Sequence, residues 1–186
     1  MLRNQPSVGE FAVLGILAQR SMHGYEMAHC FEHEDLCEVY PIEQSMLYTH
    51  VRKLEERGLI SGAEERVGQR PPRKTYSLSE TGTESLRNWL GEPVERMRQV
   101  RVEFLMKLYF LRAIDPAAER HLLRRQLEVC EAYYLRLSER VQNSTGFTRL
   151  VAMSKESAAE ATLGWLRKYS NELDEPAVVA RVGGRA

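Results

Sequence analysis

The sequence predicts a mainly α-helical protein with a small β-hairpin, and three observations carry that prediction. Three short segments with helical apolar patterning precede Gly58. Two strand-like runs flank the turn-rich stretch VGQRPPRK at 67–74. Long leucine-striped segments fill the chain after Pro93. Short helices followed by a hairpin with a charged tip make a winged helix-turn-helix, and the later segments read as an antiparallel helical dimerisation domain. The expected division is 1–93 for the winged helix, 94–173 for the helical domain and 174–186 for a disordered tail.

Each element follows from local chemistry. Residues 9–19, GEFAVLGILAQ, are apolar almost all round, as in a short helix buried on several sides. Ser21 to Gly24 reads as a turn, and Tyr25 to about Glu34 as a second helix in which apolar Tyr25, Met27, Ala28 and Phe31 alternate with polar positions. Pro41 breaks the chain. A third helix then runs from about Glu43 to Arg57, with Leu47, Val51 and Leu54 at i, i+4, i+7 and Gly58 in the C′ position. Leu59-Ile60 opens a strand and Thr75 to Leu78 returns, Gly68 and Pro71-Pro72 supplying the turn between them. Thr81 begins a fourth helix carrying Leu86, Trp89 and Leu90, stopped by Gly91 and Pro93.

Past Pro93, Phe104, Leu105, Leu108 and Leu111 stripe a helix to about Ala113. Asp115-Pro116 is a cap followed by proline at the first helical position, opening a helix to about Gln142. Asn143 to Gly146 turns the chain, and residues 147–173 form the last helix. These helices carry more leucine than they can bury alone, so pairing with a second copy is expected.

Composition bounds the partners. The net charge is zero, so only a local patch can attract an anion. The longest apolar run, Phe11 to Ala18, is too short to span a bilayer, which takes about 20 residues. It lacks signal-peptide features, and three cysteines without a CxxC pair suit a reduced compartment, so no membrane partner and a cytoplasmic location are expected.

The local patch lies on the third helix and the hairpin. With Leu47, Val51 and Leu54 inward, the helix presents Gln44, Ser45, Tyr48, Thr49, Arg52 and, at its edge, Lys53. Hydroxyls reach phosphate oxygens, and Gln or Arg can also reach base edges from the major groove. Arg70, Arg73 and Lys74 do nothing for a turn, yet they would grip a sugar-phosphate backbone. Double-stranded DNA is therefore the expected partner, with a protein-interaction module that does not bind DNA as the rival reading.

The segments LGILAQRSMHGYEM, SMLYTHVRKLEERGLI, GQRPPRKTYSLSETG and LRNWLGEP, in that order, resemble the PadR family of bacterial transcriptional regulators. The helical part, opened by EFLMKLYFL, is similar to the longer subgroup with a Vir-type C-terminal domain. The resemblance implies a homodimeric repressor that binds a palindromic operator and releases it when a phenolic or other flat hydrophobic effector binds. It also implies that Tyr48 lies near DNA phosphate and that Arg70 and Lys74 are basic wing residues. Gln44, Met46, Thr49 and His50 occupy positions where family members vary, so the operator sequence is not implied.

Other chemistry leaves weaker marks. His29, His33 and Cys37, at i, i+4, i+8 with Cys30 and Glu34 beside them, would line up on a continuous helix as metal ligands. That is the alternative of a metal-responsive regulator, although no cofactor and no metal are expected. No phosphate loop, GxSxG or HExxH is present, and pairs such as Glu103 and Lys107 read as i, i+4 ion pairs, so no enzyme is expected. Trp89, Tyr109, Tyr133 and Trp165 are candidates for an effector pocket, or for plain helix core.

Overall fold

The computed structural model describes residues 5–33, 35–65 and 73–174, except for the side chains of His33, Glu65 and Arg73. It divides into two compact units, one up to Leu122 and one from Leu123.

In the first unit, α1 (Val8–Gln19) is buried from Gly9 through Leu17, as its all-round apolar sequence requires. Ser7 and Glu10 start it with a capping box: the Ser7 N–H donates to Glu10 Oε2 at 2.7 Å, and the Glu10 N–H donates back to Ser7 Oγ at 3.3 Å. Then follow β1 (Met22–His23), α2 (Gly24–His33), α3 (Leu36–Val39) and α4 (Gln44–Glu56). Glu10 is buried and also receives Arg57 Nη1 at 3.2 Å, which ties the start of α1 to the end of α4. Gly58 ends α4 with a φ of +67°, the conformation that the C′ position demands.

Strands β2 (Ile60–Glu65) and β3 (Arg73–Leu78) pair antiparallel from Ile60 with Leu78 to Glu65 with Arg73. The sheet has a third strand, because Met22 and His23, expected in a turn, pair with Tyr76 and Thr75 and give the order β1-β3-β2. A two-residue strand lacks the length for any alternation to appear in sequence. Helix α5 (Glu80–Gly91) is capped by Ser79, whose Oγ accepts the Gly82 N–H at 3.0 Å.

After Pro93, α6 (Met97–Gln99), a π-helical segment (Val100–Phe104) and α7 (Leu105–Ile114) follow without a break. The Phe110 ring lies where a side chain on Gly15 would go, so α7 packs directly on α1.

Helix α8 (Pro116–Gln142) opens on Asp115, whose Oδ1 accepts the N–H groups of Ala117 and Ala118 at 3.1 Å each. In the second unit, its later turns run antiparallel to α9 (Gly146–Asp174). Arg167 meets Glu131 at 2.9 Å and Ser138 Oγ donates to Glu156 at 2.5 Å, pairs whose numbers fall on one strand as they rise on the other. Leu137, Ala152, Ala159, Leu163 and Leu166 are buried within this hairpin.

The metal alternative loses its continuous helix. Helix α2 ends at His33 and Cys37 sits on the separate α3, while the side chain of His33 and all of Glu34 lie outside the described residues. Among the described residues no group of three or more metal-ligating side chains occurs, and no helix is long and apolar enough to cross a membrane.

Candidate nucleic-acid interface

Helix α4 is two-sided because its apolar residues recur on one stripe. Leu47, Val51 and Leu54 are buried, and Gln44, Ser45, Tyr48, Arg52 and Lys53 are exposed. Thr49 is half-buried at the border, its hydroxyl donating to the Ser45 carbonyl at 3.0 Å. Arg52 is exposed and meets Glu56 at 4.0 Å on an open surface, a weak pairing. His50, expected beside these residues, is instead buried with only 8 % of its surface exposed. It stands at i+3 from Leu47 and so widens the core stripe, a signal that the spacing already contained.

A concavity of about 620 Å³ adjoins this face. His23, Tyr25, Tyr48, Lys74 and Tyr76 line it, with Gly24 and Glu26 at the start of α2. Gly24 brings α2 close to the Tyr48 ring: a Cβ there would come within 2.7 Å of Tyr48 Cε1, so a larger residue would push the ring aside. Glu26 accepts the His23 N–H at 2.8 Å and Arg20 Nη1 at 2.9 Å. The His23 N–H first, and Arg20 second, hold its carboxyl below the ordinary carboxylate range. His23 Nδ1 in turn lies 3.1 Å from Thr75 Oγ1, joining β1 to β3. Tyr25, missed in sequence as a site residue, is 73 % exposed, and its position next to the Gly24 turn was the available clue.

Lys74 is the wing cation whose side chain is described. Its Nζ lies 2.6 Å from Glu55 Oε1 on α4 and 5.4 Å from the centre of the Tyr76 ring. The hydrogen bond to Glu55 raises its pKa above the ordinary lysine value. Burial raises that of Tyr76, which therefore keeps its proton as a donor. Arg70, Pro71 and Pro72 fall outside the described residues, as does the side chain of Arg73. The described part thus gathers phenol hydroxyls, an ammonium group and the polar face of one helix, all donors suited to phosphate and base edges.

The four aromatic effector candidates are placed as follows. Trp89 is buried, stacked on Phe11 with ring centres 4.6 Å apart, and donates Nε1–H to Glu103 at 2.9 Å. Tyr109 is half-buried and edge-on to Phe110. Tyr133 and Trp165 are half-buried in the second unit, where the Arg136 guanidinium lies 6.0 Å from the Tyr133 ring.

Comparison with known proteins matches residues 13–88 to the transcriptional regulator PadR-like family and residues 100–174 to the virulence activator alpha C-terminal family. The chain belongs to the PadR family of transcriptional regulators. Among relatives of this PadR-like chain, the negative transcriptional regulator PadR of Bacillus subtilis (strain 168) is 27 % identical over 123 residues, covering 66 % of this chain and 67 % of that protein. Among solved structures, Bacillus subtilis PadR in complex with operator DNA aligns over 90 % of this chain and 100 % of its own, with 23 % identity and a TM-score of 0.47. The PadR-like regulator BC1756 from Bacillus cereus aligns over 93 % and 99 %, with 28 % identity and a TM-score of 0.42. Bacillus subtilis PadR in complex with p-coumaric acid aligns over 91 % and 97 %, with 23 % identity and a TM-score of 0.40.

Proposed function

We propose that this PadR-like regulator is a ligand-responsive repressor that binds a palindromic operator as a homodimer. The observation that carries the reading is the continuity of the exposed α4 face with the cluster of Tyr25, Tyr48, Tyr76 and Lys74. In this reading Gln44, Ser45, Tyr48, Thr49 and Arg52 enter the major groove, and Lys53 reaches a phosphate at its edge. Lys74, with Arg70 and Arg73 of the wing, holds the flanking backbone. Residues 1–93 act on DNA and residues 94–173 join two copies. Exposed Leu135, Phe147, Leu150 and Met153 on the helical hairpin support the pairing, since a second copy would remove them from water. Effector binding changes operator affinity by favouring one arrangement of the dimer over another. The relative's complexes with operator DNA and p-coumaric acid support the two ligand classes.

A gel shift and footprint on DNA upstream of the protein's own gene tests this. A two-fold symmetric footprint that fades as salt rises is expected. Tyr48→Phe should weaken it by about a factor of ten or less, the worth of one hydrogen bond, and Arg70→Ala should flatten the salt dependence. Binding no tighter than to bulk DNA at low salt would favour a protein-interaction module.

A further inference from the structure

We propose that a second cavity of the first unit, walled by the end of α1, β3, α5 and α7, binds a medium-chain aliphatic carboxylate, with Arg87 holding the head and leucines holding the chain. The proposal rests on the ligand-responsive reading and deepens it by assigning a site and a ligand class. The cavity measures about 600 Å³, within the ordinary range for small-ligand sites. Its floor is made by Leu17, Leu86, Leu90 and Leu111, all buried, and Leu78 and Ile114 rise at the sides. No aromatic side chain lines it. A flat aromatic ligand would find no ring to stack on, whereas a flexible alkyl chain conforms to branched aliphatic walls.

The mouth selects for a single negative charge. Arg87 is exposed on α5, and no hydrogen bond or ion pair engages it among the described residues. Most other polar side chains of the rim are in use, and Ser21 carries no charge. Arg20 is tied to Glu26 at 2.9 Å, Asp115 caps α8, and Thr83 Oγ1 donates to the Ser79 carbonyl at 2.9 Å. Ser77 Oγ pairs with Ser61 Oγ at 3.1 Å. Arg87 is thus the cation available to a carboxylate whose tail lies on the leucine floor. One strand links the cavity to the proposed DNA-facing cluster, because Ser77 and Leu78 share β3 with Lys74 and Tyr76. A chain wedged against Leu78 bears on the strand that presents those donors.

Calorimetric titration of the full chain, without DNA, with octanoate, octanol and cinnamate tests the proposal. Octanoate should bind the wild type about tenfold more tightly than octanol, the worth of one charge-assisted hydrogen bond, and more tightly than cinnamate, whose ring finds no stacking partner. Arg87→Glu, a surface change that leaves the floor intact, should erase the preference of octanoate over octanol. Ala118→Phe, at the half-buried rim, should abolish binding of both. Absence of octanoate binding to the wild type, tighter binding of cinnamate, or octanoate affinity unchanged in Arg87→Glu would each overturn it. Since no DNA is present, such a failure leaves the operator reading standing, and a failed gel shift with octanoate still bound would sink that reading alone.

Discussion

The Lys107 ammonium lies 4.9 Å from the centre of the Trp89 ring and is almost wholly buried. It donates to the Glu92 carbonyl at 2.7 Å and approaches Glu103 Oε1 at 3.7 Å, so one cation closes the end of α5 onto α7. Glu103 also accepts from Trp89 Nε1 and, at 2.8 Å, from Gln99 Nε2. Burial lowers the lysine pKa against the pull of Glu103, the mark of a charge retained at a cost for its geometry. Lys107→Met would leave the Glu103 charge without this buried cation and remove the donor to the Glu92 carbonyl, and should destabilise the protein by about 3 kcal/mol in urea unfolding. Adding Glu103→Gln to that variant should recover part of the loss. Equal stability of wild type and Lys107→Met would mean that the cluster contributes nothing.

A second prediction separates the two loyalties of Lys74. Its ion pair with Glu55 holds it against α4 and would compete with a phosphate for the ammonium. Glu55→Gln keeps the shape and removes the competing charge. Operator affinity should rise several-fold at low salt, and the slope of log affinity against log salt should steepen by up to about one, the value for one added phosphate contact. Unchanged affinity and slope would place Lys74 outside the interface.

The positions of these residues were legible in sequence to different depths. The stripe of Leu47, Val51 and Leu54 fixes which side of α4 faces outwards, because a helix has one period. The i, i+4 spacing likewise announces the pair Glu103 and Lys107. Spacing cannot say that this pair is buried, since that depends on Trp89 and on the end of α5, and neither is close in sequence. The third strand was hidden for the same reason: Met22 and His23 owe their conformation to Tyr76 and Thr75. Tyr25 lies beside Tyr48 where Gly24 lets the start of α2 approach α4, a meeting of chain segments more than twenty positions apart. The leucine cavity has no motif at all, being a space left between elements distant in sequence.

Gly82 supplies the third prediction. It sits in the first turn of α5, where a Cβ would collide with the carbonyl oxygen of Leu59. That atom belongs to the backbone entering β2 and accepts the Ser79 N–H at 3.1 Å, so it cannot swing aside like a side chain. Gly82→Ala should therefore cost about 2–3 kcal/mol, although alanine is the better helix former. Gly91, also in α5, has open space where its Cβ would be, and Gly91→Ala is the matched control expected to have little effect. Equal melting temperatures for the two variants would contradict the collision.

The fourth prediction concerns acid. His50 is buried on α4, and neither ring nitrogen finds a hydrogen-bond partner among the described residues. Its Nε2 and the Tyr40 hydroxyl crowd the bare Cα of Gly9, where a Cβ would come within 2.5 Å and 2.8 Å of them. Burial pushes its pKa below the ordinary 6.5, and Lys53 on its own helix adds to that. Glu10 on α1 pulls the other way, but that carboxylate is engaged by Arg57. The unfolded chain therefore takes up the proton first. The stability contribution is intact above pH 6.5, declines as pH falls from there towards the lower folded-state value, and levels off beneath it. His50→Leu removes the titration and also an unsatisfied polar group, so it should match or exceed wild-type stability in neutral solution. Urea unfolding of both proteins from about pH 8 to about pH 5 checks this, the wild type alone losing the His50 increment on the acid side. Parallel decline of the two curves would show that carboxylates elsewhere govern the acid response, and that burying His50 neutral has no consequence for α4.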